Sequence, residues 1–367
     1  MWRIHECTDW DSLRQFGWVR DMRGIPQSPI HHAEGDVEIH TRLVLEQLEQ
    51  LPEYLELPEQ EQHLVWAAAL LHDVEKRSTT ITDENGSIVS PGHAKKGALT
   101  ARSILYREVP TPFAIREEIV GLVRYHGLPL WVFEKPDPVR ALLKASLEVN
   151  TRLLVLLAKA DILGRICSDQ QEMLYRIEMF REFCIEQDCW GKPKEFPSDL
   201  ARFLYFRKEE QTADYVPFDD RKAEVVILSA IAGSGKDHYL KQHHAEHEVI
   251  SLDEMRRAQK ISHGDARGNG RIIQAAKERA RECLRKHQPF VWNATSITAQ
   301  MREQLVDLFE VYNPVIRIVY LEVPYQQLLS QNRNRQFPIP EAALENMIAK
   351  LEVPKLWEAH TVQYSVK

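Results

Sequence analysis

Between about residue 36 and residue 190 the apolar side chains recur at spacings of three and four, and no segment alternates convincingly between apolar and polar. That period predicts helices throughout. From Glu224 onward the pattern changes to short β-rich runs, "EVVILSA", "HEVISLD", "FVWNATS" and "VIRIVYLEV", separated by helix-like segments such as "GRIIQAAKERARECLRKH". Strand and helix in alternation predict a parallel sheet covered by helices on both faces. The stretch between the halves is rich in proline, charge and aromatic residues and reads as a linker. The expected fold class is therefore two domains: an all-α domain over residues 1–190, a linker at 191–222, and an α/β domain with a parallel sheet over 223–367. A chain of 367 residues suits two cores better than one.

Polar groups that interrupt the apolar faces of the helical half are the first candidates for chemistry. Asp161 lies in "LLVLLAKADIL", one turn after Leu157 and two after Leu154, so its carboxylate points into the core and needs a cation there. His126 follows Ile119, Leu122 and Val123, and His40 shares a face with Val37, Val44 and Leu48. The pair His72-Asp73 closes the apolar run "LVWAAALLHDV", and His93 lies in "SPGHAKKGA" near a helix start. A lone histidine on an apolar face is ordinarily a hydrogen-bonded core residue. Four of them with two buried aspartates fit a transition-metal site of mixed nitrogen and oxygen ligands better. His31 and His32, in the loop before the first helix, read as surface or substrate-facing residues.

In this order, His40, His72, Asp73, His93, His126 and Asp161 resemble the ligand series of the HD phosphohydrolase superfamily. The stretch "GIPQSPIHHAEGDVEIHT", followed by "ALLHDVEK", "GHAKKGA" and "KADILGR", is similar in particular to the HD domain of bacterial tRNA nucleotidyltransferases, over roughly residues 20–170. No G-S-x-A-R-x-x-D-x-D signature of nucleotidyl transfer occurs, so CCA addition is not implied. The resemblance implies one or two divalent transition metals, such as manganese, nickel or cobalt, and hydrolysis of phosphoesters, among them RNA 2′,3′-cyclic phosphates and 2′-phosphates. Two metals bridged by Asp73 would acidify a shared water and neutralise the leaving oxygen. Lys76, one turn after Asp73, and Arg165, four residues after Asp161, either face a substrate phosphate or are solvated helix charges.

In the second half, "VVILSAIAGSGKDHYL" runs from a β-segment through a glycine-bearing loop into a helix. In that setting backbone N–H groups cradle phosphates and Lys236 reaches the β and γ oxygens. The loop, Gly233, Ser234, Gly235, Lys236, Asp237 and His238, departs from G-x-x-x-x-G-K-[ST] at two positions. Ala230 stands at the first glycine, and Asp237 stands where Ser or Thr would hold magnesium. "VISLDEMRR" then places Asp253 at the end of a second strand and Arg256 one turn later; "FVWNATSIT" ends a third strand; "QNRNRQFPIPEAALENMIAKLEVP" carries Arg333 and Arg335. Together these elements resemble the polynucleotide kinase branch of P-loop phosphotransferases over residues 223–355. The resemblance implies ATP or another nucleoside triphosphate with Mg2+, Lys236 on the transferring phosphoryl group and Asp253 as general base on a 5′-hydroxyl. It also implies Arg256 on the acceptor's phosphate and Arg333 or Arg335 on the donor's. Asn293 stands where the family has an aspartate, as if one carboxylate had moved from the third strand to the loop. Asp237 would then offer magnesium its oxygen, while Asn293 avoids a second carboxylate against the triphosphate.

Charge changes the picture only locally. The net charge is -7, but residues 222–367 carry 20 Lys/Arg against 17 Asp/Glu, and residues 1–221 carry 27 against 37. A nucleic-acid partner would therefore be gripped at one place rather than by a basic coat. Arg267, Arg271, Arg279, Arg281 and Arg285 read equally as an acceptor path or as a solvated helix face. Five cysteines without a C-x-x-C pair favour neither a disulfide framework nor a zinc ribbon. The absence of an apolar run of about 18 residues or of a signal-peptide layout predicts a soluble, cytoplasmic protein with no membrane partner.

The two halves in this order resemble the bacterial HD-Pnk family. That resemblance implies healing of single-stranded RNA or DNA ends, with a ligase acting downstream. Three alternatives stay open: a P-loop kinase of a nucleoside or sugar, an HD domain acting on nucleotides, and an inactive nucleic-acid-binding adaptor.

Overall fold

The run Leu64–Leu71 has no polar face to offer solvent, and it becomes a central helix. The computed structural model describes residues 1–262 and 264–367, in two compact units, Met1–Glu195 and Phe196–Lys367. In the first unit the helix Glu59–Leu71 is buried from Leu64 to its end, and most of the helix Thr151–Leu163 is buried too. Helices apolar on every side belong at the centre of a bundle. Val37–Gln50 and Phe113–Tyr125 pack around them, and His93–Arg107 packs on Phe113–Tyr125, with one apolar face each. Side-chain caps fix where helices begin: Asp36 accepts from the Ile39 N–H at 2.9 Å, and Asn150 from the Arg152 N–H at 3.0 Å.

One glycine sets the spacing that matters most for the site. Gly164 follows the helix Thr151–Leu163, and a Cβ there would lie 2.8 Å from the backbone nitrogen of Val44. Its absence lets the helices Val37–Gln50 and Thr151–Leu163 approach closely enough to set His40 beside Asp161. The unit is not purely helical. A two-stranded antiparallel hairpin, β1 (Ile81–Thr82) and β2 (Ile88–Val89), interrupts it, with strands too short to leave an alternating pattern in the sequence.

The second unit is built on a five-stranded parallel sheet of β3 (Glu224–Ser229), β4 (Glu248–Ser251), β5 (Phe290–Asn293), β6 (Val315–Glu322) and β7 (Thr361–Val366), in the order β4-β5-β3-β6-β7. Ile227 of β3 pairs with Trp292 on one side and Ile318 on the other. Val225 and Ile227 face one layer, with Phe290, Ile316 and the helices Ala266–Arg285 and Ala299–Glu310; Val226 and Leu228 face the other, with Tyr239 and Leu240. Both faces are covered, which is why β3 reads as an unbroken apolar run. Within the stretch 191–222, the helix Asp199–Arg207 packs on this unit. Its Phe203 joins the core, and Arg202 donates to the Leu356 and His360 carbonyls at 3.0 and 3.1 Å. Among the described residues no helix is long and apolar enough to cross a membrane.

Candidate functional site

In the first unit, helix ends and helix middles contribute to one cluster. His40 and Asp161 come from within helices; His72 and His126 directly follow the last residues of Glu59–Leu71 and Phe113–Tyr125, and His93 opens His93–Arg107. Three of the histidines share one local device. The Nδ1 atoms of His72, His93 and His126 donate to the carbonyls of Ala69, Ser90 and Val123, each three residues back, at 2.7, 2.8 and 2.9 Å. A carbonyl can only accept, so Nδ1 carries the proton and the bare Nε2 faces the centre.

All six predicted ligands meet there. His40 Nε2 lies 3.1 Å from Asp161 Oδ1, and His72 Nε2 lies 3.2 Å from Asp73 Oδ2. His93 Nε2 lies 3.4 Å from Asp73 Oδ1 and 3.2 Å from His126 Nε2. The donor atoms of His40, His72 and Asp161 fall within 4.8 Å of one another, as do those of Asp73, His93 and His126. Asp73 turns one oxygen toward each triad. The Nε2 atoms of His40 and His72 and the Oδ1 of Asp73 are buried without a hydrogen bond. Buried polar atoms in that state need a partner, and neutral imidazoles with carboxylates fit a divalent transition metal.

At Asp73, Asp161 and His126 the electrostatics agree with that donor set. Burial would push both carboxyls up, but His72 and Lys76 around Asp73, and Arg165 and His40 around Asp161, hold them well below the ordinary carboxylate range. Burial, with repulsion from His93 and His72, pulls His126 down to about 3 and keeps it neutral. At His72 burial is outweighed by Asp73 and Asp161, and its pKa rises.

Lys76 and Arg165 are not solvated helix charges. The Lys76 ammonium reaches Asp73 Oδ2 at 2.8 Å and Gln27 Oε1 at 2.6 Å, and Arg165 gives Nε and Nη2 to the two oxygens of Asp161 at 3.0 and 2.6 Å. Of the two loop histidines expected at the surface or facing substrate, His31 and His32 both line the cleft on which the cluster opens, and His32 is half-buried. Its Nδ1 donates to Glu34 at 2.8 Å, its ring meets His40 edge-on with centroids 4.7 Å apart, and burial lowers its pKa to about 4. Glu34 also lies 2.9 Å from His40 Nδ1 and accepts from the Ile166 N–H at 2.8 Å. Glu34 and Gln27 lie in a loop, where no periodicity singles them out. The cluster opens on a cleft of about 800 Å³, lined by Lys76, Arg124, Lys135, Lys144 and Arg165 against the carboxylates of Asp73 and Asp169.

In the second unit the loop after β3 bends through Gly233 (φ +95°) and Gly235 (φ +92°), backbone that favours glycine. Lys236 opens the helix Lys236–His243 and folds back, with Nζ 3.4 and 3.3 Å from the carbonyls of Ala230 and Ile231. Burial lowers its pKa to about 8; Asp253 and Asp237 oppose the shift and Arg335 adds to it. The charges of these three predicted residues thus all act on the lysine. Asn293, at the end of β5, donates from Nδ2 toward Asp237 Oδ1 at 3.4 Å, and Arg256 pairs with Asp253 while giving Nε to Asn269 at 2.7 Å. The two lid arginines differ. Arg335 has a buried Nη1 without a hydrogen bond, whereas Arg333 is exposed and pairs with Glu341 at 3.1 Å. Ser234 is buried in the loop, and His238 is exposed on the first helical turn. Of the basic helix, Arg279, Arg281 and Arg285 are tied to Glu248, Glu282 and Glu278, while Arg267 and Arg271 are exposed near its start.

Comparison with known proteins agrees with both halves. Residues 37–165 match the HD domain family, and residues 225–354 match the AAA domain family. The chain joins an HD domain to a P-loop kinase-like domain. The Multifunctional CCA protein of Halorhodospira halophila is 35% identical over 108 residues, 29% of this chain and 23% of that protein. The Multifunctional CCA protein of Methylococcus capsulatus is 30% identical over 123 residues, 31% of this chain and 24% of that protein. The chain thus spans about a quarter of the length of these curated relatives. A solved structure from Chloroflexus aurantiacus, described as a "putative kinase", aligns with TM-score 0.32 and 13% identity over 40% of this chain and 86% of its own, a likeness too loose to add to the fold assignment.

Proposed function

We propose that this chain heals broken nucleic-acid ends. The HD domain removes 2′,3′-cyclic phosphates and 2′-phosphates, and the kinase-like domain transfers the γ-phosphoryl group of ATP to a 5′-hydroxyl. The observation that carries the reading is the pairing, in one chain, of a buried His/Asp cluster opening on a basic cleft with a phosphate loop whose lysine feels the charge of Asp253, itself paired with Arg256.

In the HD domain, His40, His72, Asp73, His93, His126 and Asp161 would hold one or two divalent ions. When bound, such ions acidify a water and neutralise charge on the phosphoryl oxygens. Lys76 holds Asp73 in place and presents its ammonium to the cleft; Arg165 does the same for Asp161. In the kinase-like domain Lys236 and Arg335 draw charge from the transferring phosphoryl group, Asp253 takes the proton of the acceptor hydroxyl, and Arg256 both orients Asp253 and receives the acceptor's phosphate. Asp237 would hold magnesium, with the Asn293 amide steadying its free oxygen.

The test assays both activities on the same preparation. Labelled γ-phosphate should pass to a 5′-hydroxyl oligonucleotide with wild type and not with Lys236→Ala or Asp253→Ala, while both variants keep cyclic-phosphate hydrolysis. Asp73→Ala should show the reverse. Transfer to nucleosides or sugars but to no oligonucleotide would replace the end-healing reading with a small-molecule kinase.

A further inference from the structure

Beyond the ligand residues, the HD cleft continues along a wall that the mechanism above leaves unused. Trp131 ends the short helix Leu128–Trp131, lines the cleft and keeps 40% of its surface exposed. It shares that cleft with His126, and a Cβ on Gly127, the residue after His126, would lie 3.9 Å from Trp131 Cδ1. The indole is also braced. The Arg176 guanidinium lies 4.9 Å from its ring centroid and is held by Glu134 and Glu172 at 2.8 and 2.9 Å. Arg124, two residues before His126, and Lys135, four after Trp131, are exposed on the same cleft. A braced, half-exposed aromatic ring on a cleft that also carries two exposed cations and the His/Asp cluster has the makeup of a stacking platform for single-stranded nucleic acid.

We propose that Trp131 stacks on a nucleobase of the terminal dinucleotide of the HD-site substrate, with Arg124 and Lys135 holding the phosphodiester that leads to it. The cleft then recognises a single-stranded RNA 3′ end and not merely a phosphoester. The proposal rests on the end-healing reading, and the experiment separates the two. Steady-state kinetics of the metal-loaded full chain would compare an oligoribonucleotide ending in a 2′,3′-cyclic phosphate with methyl ribofuranoside 2′,3′-cyclic phosphate, which carries the same scissile group and no aromatic ring to stack.

Trp131→Ala should raise KM for the oligonucleotide about tenfold with little change in kcat, and leave the methyl riboside untouched. Trp131→Phe should recover most of the loss. Replacing the last two nucleotides by abasic residues should weaken wild type by a similar factor and abolish the effect of Trp131→Ala, the signature of two groups that act on each other. An unchanged oligonucleotide KM, an equal loss on both substrates, or a Trp131→Ala effect that persists on the abasic oligonucleotide would each overturn the stacking role. Wild type that hydrolyses the methyl riboside but no cyclic-phosphate oligonucleotide would instead remove the end-healing reading, and this inference with it.

Discussion

Lys236 can grip a triphosphate only as an ammonium, and its surroundings weaken that form. Burial, joined by Arg335, brings its pKa down to about 8. A depressed lysine is charged below that value and loses its charge as pH rises through it. Affinity for ATP should therefore be level below neutrality and fall above pH 8 in the free protein, whereas bound phosphates favour the ammonium and keep the complex charged to higher pH. Calorimetric titrations across that range should show the fall in wild type and not in Lys236→Arg, because arginine stays charged. Equal slopes for the two proteins would sink the assignment. The neighbouring pair is open to a similar test. With Asn293 Nδ2 3.4 Å from Asp237 Oδ1, Asn293→Asp sets two carboxylates face to face, a repulsion on the order of several kcal/mol before relaxation at such a separation. It should weaken ATP–magnesium binding at least about tenfold, and the exchange Asp237→Asn/Asn293→Asp should restore part of the loss, which a double-mutant cycle of affinities reads directly. A sharp gain of kinase activity in Asp237→Ser, with metal dependence unchanged, would show that no carboxylate had been transposed.

Among the elements, the meeting of the helices Val37–Gln50 and Thr151–Leu163 is the most exposed to a single methyl group. A Cβ at Gly164 would lie 2.8 Å from both the nitrogen and a side-chain methyl of Val44, and backbone cannot swing aside. Gly164→Ala should cost about 1–3 kcal/mol of stability and, by moving Asp161 from His40, lower the metal content of the purified protein. Thermal unfolding beside metal analysis separates those effects; a destabilised protein with full metal content would detach Gly164 from the site. What could be read in the sequence follows the same physics. Strands β3 to β6 announce themselves because a sheet covered on both faces needs continuous apolar runs, whereas "TVQYSV" of β7 sits half-exposed at the edge and mixes polar with apolar. The helix Asp199–Arg207 is masked by the proline and charge around it. The six candidate ligands stand out as polar residues on apolar faces. The carbonyls that orient His72, His93 and His126, the loop residues Glu34 and Gln27, and the choice of Arg335 over Arg333 beside Lys236 all depend on where the chain turns, which spacing does not encode.

For the whole molecule, two units with different ion requirements should melt differently. The HD cluster buries His40, His72, Asp73 and Asp161 almost completely, so a metal held there binds the folded first unit far better than its unfolded chain. At a metal concentration about a thousandfold above Kd, that preference adds about 4 kcal/mol, or on the order of 10 °C for a domain of this size. The kinase-like domain takes its ion together with a nucleotide and gains nothing comparable from metal alone. Scanning calorimetry of the full chain should therefore show one transition that falls on chelation and returns with manganese, nickel or cobalt, and a second that moves only when ATP and magnesium are added together. Asp161→Ala should blunt the first response and leave the second intact; Lys236→Ala should do the opposite. A first transition indifferent to every metal would leave the cluster as a buried polar network and favour a nucleic-acid-binding adaptor. Both transitions rising together with any one ligand would mean that the two domains are thermodynamically coupled, and the proposed healing of 3′ and 5′ ends would then be coordinated within one chain.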